Sequence, residues 1–445
     1  MRLNRMMIVV VLVAAGAWAQ DGGVEEAAAP AGAPEAAVVP EATDGQARTP
    51  AAAAEPVPTQ SMFDALAAEV RRLKEDIALP APTYQGYAGM GPAASKVYFT
   101  PKGLSIGGYG EAYYSHDPAP NGRSSTDMLR VVLYAGYRFS DRIVFNSEIE
   151  FEHGSTDRGG AVSVEFAYLD FKLHDLLTVR VGNVLVPMGF VNEVHEPPFF
   201  FGVQRPQVER MLIPSTWNEN GVGVYGDYKG LRYRGYLLNG MNATGDGRFS
   251  ASSWVRGGRQ GGALAIAENL AGVGSVEYSF EPVRIGVAGY FGRSGQGVSV
   301  DGRLVRGELF LGEAHAAFSY KGLSLRGLFV YGRLGDADLI SAANGTTVGE
   351  QVLGGYAEAA YDVLRLLQPD GDMSLSPFVR FESFDTHKAV APGFTRSPAN
   401  SRNLVTAGLH FKPIANAVLK ADWQHVFRGD GTQSDALNLG VGFVF

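Results

Sequence analysis

The densest set of chemistry-bearing side chains lies in the stretch VPMGFVNEVHEPPFFFGVQRPQVERMLIPSTWNENG, which begins at Val186. Glu193, His195, Glu196, Arg205, Glu209 and Arg210 interleave acid and base within it. An irregular loop of about 30 residues is as a rule either functional or disordered, and the Pro and aromatic content here points to order. Folded into a pore, loop 187–219 would gather those six side chains at a constriction, where fixed charge selects ions. Held outside, it would be a lid packing its own Phe199, Phe200 and Phe201. Other chemistries have thinner support. In HGS at 153–155 a His could activate a Ser nucleophile, but the pair opens a loop after the polar Glu152. The eight histidines show no HExxH or other metal-ligand spacing, and the GGYG and GVGVYG runs precede no helix, so neither a metal nor a dinucleotide cofactor is expected.

The elements that must position these residues have a period of two. MLRVVLYAGYRF places Leu129, Val131, Leu133, Tyr137 and Phe139 on one face and Arg130, Val132, Tyr134 and Arg138 on the other. Such alternation marks a strand with one apolar face. Sixteen segments of this kind run from residue 104 to residue 445: 104–114, 128–139, 142–152, 162–173, 177–186, 220–229, 231–240, 271–280, 282–292, 309–320, 322–333, 351–363, 373–385, 402–412, 415–427 and 434–445. Their connections alternate in length. Ser140-Asp141, Lys229-Gly230, Lys321-Gly322 and Pro413-Ile414 are tight, whereas 115–127, 187–219, 241–270, 293–308, 334–350 and 386–401 are long. An even number of strands with short turns at one end and long loops at the other is the pattern of an outer-membrane β-barrel. A soluble sandwich has no reason to sort its loops by parity. The fold expected is therefore all-β, a 16-stranded antiparallel transmembrane barrel that meets membrane lipid with its outer face.

The same parity sends charge inward. Arg180, Arg232, Arg234, Arg284, Arg326, Arg380 and Lys420 would form a basic belt in the half nearest the short turns. Glu148, Glu150, Glu165, Glu277, Glu313 and Glu358 would share the lumen with them. An Arg or Lys aimed at lipid near the bilayer midplane costs about 2–4 kcal/mol, so a polar interior is implied. Two arrangements remain open: cross-strand ion pairs that stiffen the wall, such as Glu277 with Arg284, or rings of like charge that filter ions.

Ahead of the barrel, residues 1–19 read as a secretory signal peptide: Arg2 and Arg5, the apolar run MMIVVVLVAAGA, then Ala17-Trp18-Ala19. Residues 20–60, rich in Ala and Pro, lack large apolar side chains and read as a disordered linker. Within 61–79, Phe63, Leu66, Val70, Leu73 and Ile77 follow an a/d seam, which predicts a short coiled coil, and 80–103 reads as a second linker. This extension is expected in the periplasm, where it could contact the cell wall. The formal net charge of −8 argues against a nucleic-acid partner, and the absence of Cys excludes disulfides and thiolate metal sites.

A resemblance joins these readings. LTVRVGNVLVPMGFVNE, then RP and VER, PSTW and GVGVYGDY resemble the corresponding region of the phosphate-selective porin O and P family. The specific motifs lie within about 177–228. The resemblance implies a trimeric 16-stranded porin, in some members carrying an N-terminal coiled coil, with no enzymatic activity and passive diffusion of small hydrophilic solutes or ions through a lumen narrowed by loop 187–219. It also implies phosphate preference set by constriction lysines and arginines. Here loop 187–219 offers only Arg205 and Arg210 for that task, against Glu193, Glu196 and Glu209. A strand ending in Phe445 also resembles the signal read by the barrel-assembly machinery. Two further readings stand behind the porin: a barrel plugged by its own loop and serving as a structural tether, and, through HGS at 153–155, an outer-membrane phospholipase.

Overall fold

In the computed structural model the described residues are 86–445, apart from 155–158, 246–247 and 369–370. The expected signal peptide, first linker and coiled coil lie outside them. The strands are β1 (Gly103–His116), β2 (Ser124–Arg138), β3 (Ile143–Glu152), β4 (Val162–His174), β5 (Leu177–Leu185) and β6 (Asn218–Tyr228). They continue as β7 (Leu231–Asn239), β8 (Leu270–Phe280), β9 (Val283–Arg293), β10 (Glu308–Tyr320) and β11 (Leu323–Leu334). The last five are β12 (Gly349–Tyr361), β13 (Ser374–Val390), β14 (Ser401–Ile414), β15 (Ala417–Arg428) and β16 (Gln433–Val444). Each pairs antiparallel with its sequence neighbours, and β1 pairs with β16 to close the barrel. All sixteen expected segments are present.

Closure reaches the last residue. Tyr109 stands opposite Val444 and Ala112 opposite Val441. Beyond the ladder, the Phe445 N–H donates to the Gly108 carbonyl at 2.9 Å and the Gly108 N–H returns the bond at 3.0 Å. In hydrocarbon an unpaired backbone amide costs several kcal/mol, so a spanning sheet must have no edge. Leu437, Leu439, Val441 and Phe443 face outward, each 40–57% exposed, while Asn438 and Val444 between them are 3% exposed.

At the end with short turns, two hairpins turn on Lys229-Gly230 and Lys321-Gly322. All four residues have φ between +47° and +88°, the paired left-handed geometry of two-residue hairpin turns that match strand twist. At the other end the strands outrun expectation. β1 and β2 stay paired as far as His116 opposite Ser124, which shortens the loop expected at 115–127. β13 continues to Val390 across an irregular register with β12, where the Asp385 carboxylate accepts from the His387 N–H at 2.8 Å and the His387 ring lies 3.0 Å from the Thr347 carbonyl.

One expectation is corrected. The segment 80–103, read as linker, contains the helix α1 (Pro92–Phe99), which packs against the inner faces of β1, β2 and β3. Pro92 starts it at a position where a missing N–H does no harm. Ala93 and Ala94 are small enough to lie against the wall, and Val97 sits against Gly136, where an added Cβ would stand 2.7 Å away. The periodicity of α1 is too weak to separate from linker composition, which is why the sequence alone does not mark it.

Leu439→Arg, on the lipid face of β16, is expected to destabilise the barrel by about 2–4 kcal/mol in urea-induced unfolding from phospholipid vesicles.

Candidate functional site

The segment between β5 and β6 enters the barrel and crosses it. Its base is clamped by one side chain: Asn192 donates to the carbonyls of Val186 (2.7 Å) and Trp217 (3.0 Å) and accepts from the Trp217 N–H at 2.7 Å. Trp217 is fully buried against Tyr290, with ring centroids 4.9 Å apart.

From there the chain is fastened to opposite walls. His195 lies against Glu148 of β3, Nε2 to Oε1, at 3.1 Å. Glu193 pairs with Arg234 of β7. Glu196 accepts from the N–H groups of Ala93 (3.0 Å) and Ala94 (3.1 Å), so its carboxylate holds the N-terminus of α1. Further on, the Val203 N–H donates to Asp422 of β15 at 2.6 Å, and Lys420 donates to the Gly202 carbonyl at 2.9 Å. A short helix, α2 (Gln207–Met211), then places the Val208 N–H on Glu382 of β13 at 2.9 Å. Glu209 accepts from the Val191 N–H and from the Tyr356 hydroxyl of β12. These anchors put the loop inside the lumen. Phe201 packs on Phe378 and His410, and Phe200 lies under Lys420, whose Nζ is 3.5 Å from the ring centre. The phenylalanines therefore pack on the wall and not on one another, as an external lid would require.

Of the six expected constriction residues, Glu193, His195, Glu196 and Glu209 serve as such anchors, each 7% exposed or less. Arg205 is itself buried and donates to the His195 carbonyl, and Arg210 is half-buried. They line a cavity of about 230 Å³ at the end with long loops, together with Arg130, Arg256, Glu111 and Glu152. Arg256 comes from the 240–269 loop, which folds inward so that Arg256 donates to the Arg210 carbonyl at 2.9 Å and Arg259 to the Ser215 carbonyl at 2.8 Å. Burial, followed by the crowding of Arg259, Arg210, Arg205 and Arg130, pushes the Arg256 guanidinium down to about 9. At the other end, a cavity of about 410 Å³ is lined by Arg326, Arg365, Lys321, Lys412 and Asp362. Phe200 borders both cavities.

The expected basic belt is inward-facing but is made of pairs. Arg180 contacts Asp170 at 2.8 Å, and Arg232 contacts Glu277 at 3.1 Å. Arg284 stands 3.6 Å from Glu277, and Glu277 with Glu313 also brackets His315. Arg326 and Arg380 share Glu358, at 3.2 and 3.0 Å. Glu150 holds Arg130 at 2.6 Å. Lys420 has the Gly202 carbonyl already described. Of the two arrangements left open by parity, the interleaved one describes these residues. Sequence reasoning missed the contributions of Arg256, Arg259 and Arg365. The cue in SSWVRGGRQGG is Trp254, an unusual residue for a solvated loop, here fully buried with its indole N–H on the Gly349 carbonyl. His153 lies 2.8 Å from Asp127 and borders the 230 Å³ cavity, away from the lipid-facing surface that a phospholipase would use, and Ser155 lies outside the described residues.

No family model matches the chain. An uncharacterized protein of Aquifex aeolicus (strain VF5) is 35% identical over 388 residues, covering 84% of this chain and 87% of its own. Among solved structures, the anion-selective porin from Comamonas acidovorans superposes with a TM-score of 0.51 at 10% identity, over 77% of this chain and 99% of that one. OmpF of Salmonella typhi, in complex with daunomycin, gives 0.51 at 11%, over 77% and 97%. The outer membrane channel DcaP of Acinetobacter baumannii gives 0.50 at 11%, over the same shares. At these identities the likeness is one of fold: the chain folds like outer-membrane porin channels.

Arg380→Met would leave Glu382 buried without a cation and Glu358 with Arg326 alone, and a loss of about 3–5 kcal/mol is expected in vesicle unfolding. Arg284→Met removes a half-exposed partner and should change stability by no more than about 1 kcal/mol.

Proposed function

The chain belongs to one family with the Aquifex aeolicus protein, and we propose that it is an outer-membrane porin passing small hydrophilic solutes, with a preference for anions. Solutes move down their gradients through the space that the inserted loop and α1 leave free. One observation carries the reading: cavities entering from the two ends, each lined by several Arg or Lys side chains, meet at the same residue, Phe200. With the wall charges neutralised in pairs, the potential a solute meets is set by what remains on the cavity surfaces, Arg205, Arg210 and Arg256 at one end and Lys321, Arg365 and Lys412 at the other. In a low-dielectric setting such fields act over several ångströms.

The finer parts of the reading follow from the resemblance around 177–228. The protein is a homotrimer related to the phosphate-selective porins O and P. Phosphate is the anion class its arginines would favour, since guanidinium matches a phosphate oxygen pair. Glu150 and Glu193 are held by Arg130 and Arg234, so they add little to a free field. The short-turn end faces the periplasm, and the N-terminal extension lies there with the cell wall within its reach.

A second reading is favoured by Phe200, which is only 2% exposed. If the loop and α1 do not part at that point, the barrel is a plugged tether and not a conduit.

In planar bilayers under a potassium chloride gradient, the reversal potential should have the sign of anion preference. Arg205→Ala and Arg210→Ala should each lower the anion-to-cation permeability ratio roughly fivefold, about 1 kcal/mol per removed charge. Silence would favour the tether, and a cation preference would contradict the basic path.

A further inference from the structure

We propose that Glu148, Glu165 and His195 form a binding site for one divalent transition-metal ion that ties the lumen loop to the barrel wall. The three come from different elements: Glu148 from β3, Glu165 from β4, and His195 from the inserted loop. Their potential ligand atoms all lie within 4.8 Å of one another. His195 Nε2 is 3.1 Å from Glu148 Oε1 and 3.7 Å from Glu165 Oε2. Four ligands about 2.0–2.2 Å from a zinc ion stand roughly 3.4 Å apart, and these gaps bracket that value.

The wall is shaped to bring the carboxylates together. The register between β3 and β4 shifts at Glu148 and Ile149: Glu148 pairs with Phe166 and Ile149 with Val164, which leaves Glu165 as the extra residue of a bulge. A bulge re-aims a side chain against the pleat. Here it puts Glu165 and Phe166, consecutive residues, both on the inner face, at 6% and 0% exposure. Without the bulge, Glu165 would point at lipid.

A cation in the middle would complete the polar contacts of the cluster. His195 Nδ1 is 3.0 Å from the Asn192 carbonyl, an acceptor, so that nitrogen carries the proton. The Nε2 lone pair is then aimed at two carboxylates. This is the usual posture of a metal-bound histidine, whose other N–H is fixed by a backbone carbonyl. A proton on Nε2 would satisfy one of the two oxygens facing it, but Glu148 Oε2 and Glu165 Oε2 are both buried with no hydrogen-bond donor. The nearby cations are engaged elsewhere: Arg130 holds Glu111 and Glu150, Arg205 donates to the His195 carbonyl, and Arg259, on the cavity that Glu165 borders, donates to the Ser215 and Thr216 carbonyls. Glu111, Glu148, Glu150 and Glu165 outnumber Arg130, Arg205 and Arg259, so positive charge placed between Glu148 and Glu165 is favoured.

One imidazole and two carboxylates suit zinc, manganese or ferrous iron. Glu165 also borders a cavity of about 310 Å³ at the end with long loops, through which an ion can reach it. The absence of any His motif in the sequence is no obstacle, because the ligands converge only through the barrel. The inference needs the barrel and the inserted loop but not the channel reading, so the two fail separately.

The test is metal content of the full chain, folded in detergent, stripped with chelator, incubated with zinc chloride and gel-filtered. Folding is checked independently by the heat-dependent shift of barrel mobility on gels. One zinc per chain is expected in the native sequence, falling to none in Glu165→Gln and in His195→Gln. Native protein that folds and retains no zinc, its cluster holding protons only, overturns the proposal. So does a folded Glu165→Gln that retains as much zinc as the native chain. Should both variants fail to fold, X-ray absorption on the zinc-loaded native protein decides. A shell of nitrogen and oxygen near 2.0 Å with one imidazole is expected, and a shell lacking imidazole overturns the assignment.

Discussion

Everything in this molecule follows from the need to pair backbone amides where no water is available. A sheet in hydrocarbon cannot keep an edge, so the first and last strands must meet, and here they meet to the final residue through Gly108 and Phe445. Once the sheet is closed, strand parity becomes a partition between solvents. Odd positions of the last strand face lipid, and even positions face an interior that has to be filled or wetted. The inward carboxylates and guanidiniums are the consequence, since their only alternative is a costly exposure to lipid.

How that interior is filled decides what the barrel can do. The loop between β5 and β6 is held by wall side chains on both sides of the lumen, and its Glu196 in turn holds α1. The wall meanwhile consumes most of its own charge in cross-strand pairs. Arg380, entirely buried between Glu358 and Glu382, is the extreme case. Buried pairs of this kind contribute modest net stability but fix geometry, because removing one partner strands the other. The charge left over sits on the two cavity surfaces and is mostly positive. Selectivity in this account is a residue of incomplete pairing.

The barrel was legible because its signal is local and repeated. Alternation such as Ile143, Phe145, Ile149 and Phe151 against Asn146, Glu148 and Glu150 needs no long-range knowledge, and the sorting of loop lengths gives the topology. The candidate site was legible only in part. Residue types in 187–219 announced a charged loop, but whether Glu193 meets solute or Arg234 depends on a contact 41 positions away in the chain. Glu165 reaches the lumen only through a bulge that the residue pattern around it does not announce. α1 was hidden for a different reason: eight residues in which two Ala, a Ser and a Lys precede Val97, Tyr98 and Phe99 have little periodicity, and the helix is held by its contacts with the wall, too short to persist alone.

Closure itself can be examined directly, because the chain has no native cysteine. Ala112 and Val441 are cross-strand partners on the first and last strands. The double variant Ala112→Cys with Val441→Cys, oxidised in vesicles and run on a non-reducing gel, should form a disulfide within one chain. Crosslinks only between chains, or none in a folded protein, would contradict a closed sixteen-stranded barrel.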